Sequence, residues 1–170
     1  NAGETGHAGI EWLHQMRLFS VKSWPGTARL FASFFWNHNR FINFVDAGRD
    51  YSGNLLPGIP ACTYHARIIW EPLPQAVLVL EGQGTGSQFM NDANDKRYPG
   101  HTLVHARCSV ELIRKGRLQI RFEGGIENLF DTPYASMILV NAPSFGGNAP
   151  RYYYPGSPRN MYLGIHIEIE

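Results

Sequence analysis

The chain has 170 residues, room for one compact domain, with 17% charged residues and a formal net charge of +1. Those values exclude disorder driven by charge repulsion, and no Lys/Arg block offers a surface for nucleic-acid phosphates. No run of about 18 apolar residues exists, which excludes a spanning helix but not a spanning strand, since a strand crosses in about 9–11 residues with only alternate ones facing lipid. Two cysteines, Cys62 and Cys108, exclude a disulfide-rich scaffold and leave their pairing open. Asn1–Ala2–Gly3–Glu4 is not a basic segment followed by an apolar one, so an exported chain beginning here is expected to have lost its start or to be a piece of something longer.

Taken in order, residues 8–18 place Ala8, Ile10, Trp12, Met16 and Leu18 on one parity and Glu11, Gln15 and Arg17 on the other. A turn is expected at Ser23–Gly26. Residues 27–45 alternate Ala28, Leu30, Ala32, Phe34 and Trp36 against Thr27, Arg29, Ser33 and Asn37. Gly, Asp, Asn and Pro then mark 46–62 as a connection. A third strand sets Tyr64, Ala66, Ile68 and Trp70 against Thr63, His65, Arg67 and Glu71, closed by Pro72 and Pro74. The apolar run 76–81 is expected to be a strand of ambiguous face, and 82–100 a long exposed loop. Residues 101–112 alternate Thr102, Val104, Ala106, Cys108, Val110 and Leu112 with His101, His105, Arg107, Ser109 and Glu111. After a turn at 114–117 come Leu118, Ile120, Phe122, Gly124 and Ile126, alternating with Gln119, Arg121, Glu123 and Glu127. A seventh strand is expected at 134–141 and a Gly/Pro-rich loop at 142–159. The last strand, 161–170, alternates Met161, Leu163, Ile165, Ile167 and Ile169 with Tyr162, Gly164, His166, Glu168 and Glu170.

The expected fold is therefore all-β, with about eight antiparallel strands. Soluble sandwiches alternate too, but three features favour transmembrane barrel strands. Several runs are long enough to span, tight turns alternate with long loops, and Trp12, Trp24, Trp36, Trp70, Tyr64, Tyr98 and Tyr162 lie near strand ends, where some should form interfacial girdles. Arg29, Arg67, Arg107, Arg121 and Glu123 would then face a watery lumen instead of hydrocarbon. The strands either close alone as a narrow barrel or form an arc of a larger one whose edges need further strands.

Chemical motifs are sparse. His101 and His105 share a strand face about 13 Å apart, from four steps of about 3.3 Å, too far for simple coordination of one ion. His65 and Cys62 have no evident third ligand, and Asp92, Asn94 and Asp95 lack a calcium-loop pattern. Ser109 has no spacing that identifies a relay, and Gly82, Gly84 and Gly86 make no phosphate cradle. No catalytic residue, cofactor or metal is expected. Arg151 with Tyr152, Tyr153 and Tyr154 offers hydrogen-bonding and cation–π groups, suited to a ligand or to anchoring the last loop.

The chain resembles the C-terminal barrel portion of a TonB-dependent outer-membrane receptor of the ferric-siderophore type. Its ending carries most of the likeness: Gly125–Ile126–Glu127–Asn128–Leu129–Phe130–Asp131, Tyr134, Val140–Asn141, Tyr154–Pro155–Gly156 and Pro158–Arg159–Asn160–Met161–Tyr162–Leu163–Gly164–Ile165. Gly9–Ile10–Glu11, the stretch from Gly53 to Pro60, Asn91–Asp92–Ala93–Asn94 and Pro99–Gly100–His101–Thr102–Leu103–Val104 add to it. The resemblance covers essentially all of 1–170. It implies a bacterial outer-membrane location, a 22-stranded barrel in the whole receptor and uptake of a ferric siderophore or related nutrient. It also implies a plug that this stretch lacks, and a TonB energy-coupling complex reached only through a missing N-terminal part. Glu170 stands where that family usually ends on an aromatic residue. The alternatives are a self-contained eight-stranded outer-membrane barrel with a structural or adhesive role and, less favoured by strand length, a soluble lipocalin-like barrel.

Overall fold

The computed structural model describes residues 3–18, 26–144 and 146–169. All regular elements among them are strands: β1 (Glu4–Leu18), β2 (Thr27–Asn43), β3 (Val45–Asp46), β4 (Arg49–Asp50), β5 (Cys62–Leu73), β6 (Ala76–Thr85), β7 (Gln88–Phe89), β8 (Arg97–Tyr98), β9 (His101–Lys115), β10 (Leu118–Glu127), β11 (Ala135–Ile138), β12 (Tyr153–Pro155) and β13 (Asn160–Ile169). Seven form one sheet in the order β1-β2-β5-β6-β9-β10-β13, every neighbour antiparallel. The remaining six make three small pairs within the long connections.

The expected strand at 134–141 is corrected here. Only Ala135–Ile138 is extended, and it pairs with Tyr153–Pro155 outside the main sheet. Pro133 before it and Asn141 after it, the latter at φ 52°, take the chain out of extended backbone. Among the described residues the wall thus has seven strands. The loop expected at 82–100 starts later, because β6 continues to Thr85, and β7 and β8 form a hairpin inside it. Residues 74–75 and 116–117 make tight turns; Gly116 sits at φ 58°, which suits a hairpin. The expected turn at Ser23–Gly26 lies outside the described residues except for Gly26.

Register decides which residues share a face. Met16, Leu30, Ile68, Leu80, Ala106, Ile126 and Met161 are successive cross-strand partners and form one apolar row through all seven strands. One residue away, Phe31, Arg67, Glu81 and His105 form a mostly polar row on the opposite face. Arg29, Arg107, Arg121 and Glu123 share that polar side, as the alternation anticipates. Trp12, Trp36, Tyr64 and Trp70 lie on the apolar side. Tyr162 does not: it pairs with Gly125 on the polar side, and a Cβ on Gly125 would fall 2.6 Å from its ring. Trp24 lies outside the described residues.

Among the described residues no second layer covers the apolar face. Leu163 and Ile165 are 79% and 67% exposed, and the few buried apolar residues include Met90, Tyr98 and Ala135 in the connections. A water-soluble sheet would hide such a face against another sheet or a helix. The sheet also has two free edges, β1 and β13. Seven antiparallel strands leave those two running in the same direction, so an all-antiparallel closed barrel needs an odd number of added strands.

In the full-length protein, Ile165→Arg is expected to lower stability in lipid vesicles by about 2–4 kcal/mol, read from the denaturant midpoint. Gly164→Ser on the polar side should leave that midpoint unchanged, since a Cβ there meets nothing within 4 Å.

Candidate functional site

The polar face carries an ion-pair network across four strands. Glu81 on β6 accepts from Arg67 Nε on β5 at 3.0 Å and lies 3.0 Å from His65 Nε2. Arg107 on β9 reaches Glu81 at 3.9 Å and donates through Nε to Glu127 on β10 at 3.3 Å. His105 Nδ1 contacts the other Glu127 oxygen. The Asn128 N–H lies 3.3 Å from the same nitrogen. Glu81 is only 8% exposed, and its hydrogen bonds from two β5 side chains offset the cost of burying its charge. Toward the tight turns, Glu111 accepts from Arg114 at 2.6 and 2.8 Å and from Gln119 at 2.6 Å, while Arg29 pairs with Glu71 at 2.5 Å.

Beside this network lies an open hollow of about 610 Å³, lined by Glu11, Ser33, Thr63, His65, Gln83 and His101 among others. His101 and His105 have separate roles: His101 Nδ1 meets the Tyr98 hydroxyl at 3.0 Å, and His105 serves Glu127. Among the described residues no three His, Cys, Asp or Glu side chains form a group able to hold a metal. Cys62 and Cys108 are both free thiols.

The three long connections, 44–61, 86–100 and 128–159, fold against one another at the end of the sheet opposite the tight turns. Asn54 Nδ2 donates to the Asp92 carbonyl at 2.7 Å. Asn94 satisfies both backbone groups of Leu55, at 2.8 and 2.9 Å. Asn141 accepts from the Asp92 N–H at 3.0 Å and donates to its carboxylate at 2.7 Å. Met90, Tyr98 and Ala135 form a small core with Ile138 and Tyr152 packed on it. Tyr98, expected near a strand end as a girdle candidate, belongs to this cap instead, where its hydroxyl accepts the Ala135 N–H at 2.9 Å.

Arg151 to Tyr154 occupy two environments. Tyr152 packs on the cap core and its carbonyl accepts the Leu139 N–H at 2.7 Å. Tyr153 and Tyr154 are 57% and 56% exposed, and Arg151 is exposed beside Leu139, Pro143 and Asn148 in a second hollow. Arg159 and Asn160 lead from the last connection into β13, the Arg159 N–H donating to Asp131 at 2.7 Å. Sequence reading did not find the Glu81–Glu127 network. Its only signal was that His65, Arg67, His105, Arg107 and Glu127 fall on polar parities, and the partnerships depend on register.

Glu81→Ala in the full-length protein is expected to lower thermal stability in detergent by about 1–3 kcal/mol, because Arg67 and His65 lose their shared acceptor. A melting temperature equal to that of the parent would refute the structural role of this pair.

No protein-family model matches the chain. Among solved structures it is similar to the ferric citrate transporter FecA in its unliganded form, with TM-score 0.72 and 21% identity over 97% of this chain and 24% of that one. It is similar also to BauA, the ferric preacinetobactin receptor of Acinetobacter baumannii, with TM-score 0.71 and 20% identity over 97% of this chain and 22% of that one. The ferric yersiniabactin uptake receptor FyuA of Yersinia pestis gives 0.69 and 17% over 99% and 24%. The chain spans less than a quarter of each of these proteins. Over nearly its whole length it carries the fold of one arc of the β-barrel found in TonB-dependent siderophore receptors.

Proposed function

We propose that residues 1–170 are the C-terminal part of the barrel of an outer-membrane receptor that takes up a ferric siderophore or a related nutrient. The observation that carries this reading is the two-sided sheet: an uncovered apolar row through seven strands, backed by an ion-paired polar wall. The apolar side would face outer-membrane lipid and the polar side a lumen. Passage through such a lumen involves no covalent chemistry, so the role is transport and not catalysis. A plug and the segment that engages the TonB complex would come from outside these residues. The strand count favours an arc of a larger barrel over a self-contained one, because β1 and β13 run in the same direction and cannot join antiparallel.

In this reading Arg151, Tyr153 and Tyr154 present a cation and two phenols at the outer rim, where an anionic or aromatic iron chelate could be met by charge and stacking. Tyr152 is the anchor that holds them to the cap.

The test is uptake of radiolabelled iron chelates by iron-starved cells that carry or lack the full-length gene. Deletion is expected to abolish uptake of one chelate class, and Arg151→Ala with Tyr153→Ala together to weaken its binding about 30-fold or more, in line with two interface anchors worth about 1–2 kcal/mol each. Uptake of every chelate unchanged by deletion, or a folded monomer in water without detergent, would overturn the proposal.

A further inference from the structure

We infer that the three outer connections open and close as one cooperative body, with 86–100 as its hub and Asn94 and Asn141 as the pins. The inference rests on their mutual contacts and holds whatever ligand the protein takes.

Each pin makes paired bonds across a junction. Asn94 in the hub meets the N–H and the carbonyl of Leu55 in the first connection, and Asn141 in the third meets the N–H and the carboxylate of Asp92 in the hub. Both asparagines sit in the left-handed region, at φ 56° and 52°, which Asn tolerates better than most residues. Backbone bonds reinforce the same junctions. Gly58 N–H donates to Phe89 and Ala61 N–H to Ser87, joining first connection to hub, and Asn141 N–H donates to Met90, joining third connection to hub.

Packing points the same way. The hub supplies Met90 and Tyr98 to the small core, and the third connection supplies Ala135, Ile138 and Tyr152. The first and third connections also touch directly, since a Cβ on Gly58 would fall 2.6 Å from the Val140 side chain. Lifting one connection therefore strips partners from another, and part-buried backbone groups such as those of Leu55 lose their bonds, which makes partial opening unfavourable. Tyr98 fastens the body to the wall, because its hydroxyl meets His101 on β9 as well as the Ala135 N–H. A ligand reaching Tyr153 and Tyr154 would meet a preformed platform instead of loops that close one at a time.

The test is amide hydrogen exchange on the full-length protein folded in detergent, comparing the parent with Asn141→Ala and Asn94→Ala. Asn141 does not bond Leu55, yet Asn141→Ala is expected to speed exchange at Leu55 by 10-fold or more, together with Asp92 and Ala135. Asn94→Ala should loosen the same set, including Ala135, while β10 and β13 amides keep their protection. Acceleration confined to the substituted junction would overturn the inference. Should either variant fail to fold, the parent protein decides under rising denaturant. Leu55, Asp92 and Ala135 becoming exchangeable at one concentration supports a single body, and separate concentrations refute it.

Discussion

Strand-to-strand pairing of backbone N–H and C=O groups is the constraint on which this structure depends. A strand in hydrocarbon must pair every N–H and C=O with a neighbour, so sheet register comes before any choice of side chain. Here one register holds through six consecutive antiparallel pairings, with few bulges. Because side chains alternate with period two, that register stacks Met16, Leu30, Ile68, Leu80, Ala106, Ile126 and Met161 on one side. It sends Arg67, Glu81 and His105 to the other. In the first six strands a one-residue slip in one direction would carry Arg17, Arg29, Arg67, Glu81, Arg107 or Glu127 into the apolar row. The same constraint leaves β1 and β13 in need of partners.

The polar side then solves a second problem created by the first. Charges placed on that face sit on a crowded surface next to other strands, where a lone carboxylate such as Glu81 would be costly. Pairing across β5, β6, β9 and β10 keeps the wall near neutrality and ties adjacent strands through side chains as well as backbone. Beyond the strands, the long connections make the only small core among the described residues of the cap, and Tyr98 with His101 joins it to the wall. Wall and cap are thus built on different principles: alternation of an apolar and a polar face in one, asparagine side chains replacing absent ladder bonds in the other.

How much of this is legible in the sequence varies by element. The strand at 101–112 and the last strand can be read from alternation alone, since each has five apolar residues on a single parity. The run 76–81 is almost uniformly apolar, so its face is assigned only once Leu80 is seen opposite Ile68 and Ala106. The segment 134–141 has apolar residues enough for a strand, but its flanking Pro133 and left-handed Asn141 confine it to a short hairpin with 153–155. Tyr98 and Tyr162 have the right chemistry for an interfacial girdle, yet the β7–β8 hairpin puts one in the cap and parity puts the other over Gly125.

The sequence by itself determined the all-β class, the alternation of tight turns and long connections, and the sorting of residues into an apolar and a charged side. These are local properties, set by period-two patterning and by Gly, Pro and Asn at breaks. Only the tertiary structure decided that the wall has seven strands, that Glu81 and Glu127 each gather a histidine and an arginine, and that three distant connections share two asparagine pins. Those outcomes depend on which residues of different strands come face to face, and cross-strand distance is a property of register and topology that no single segment encodes.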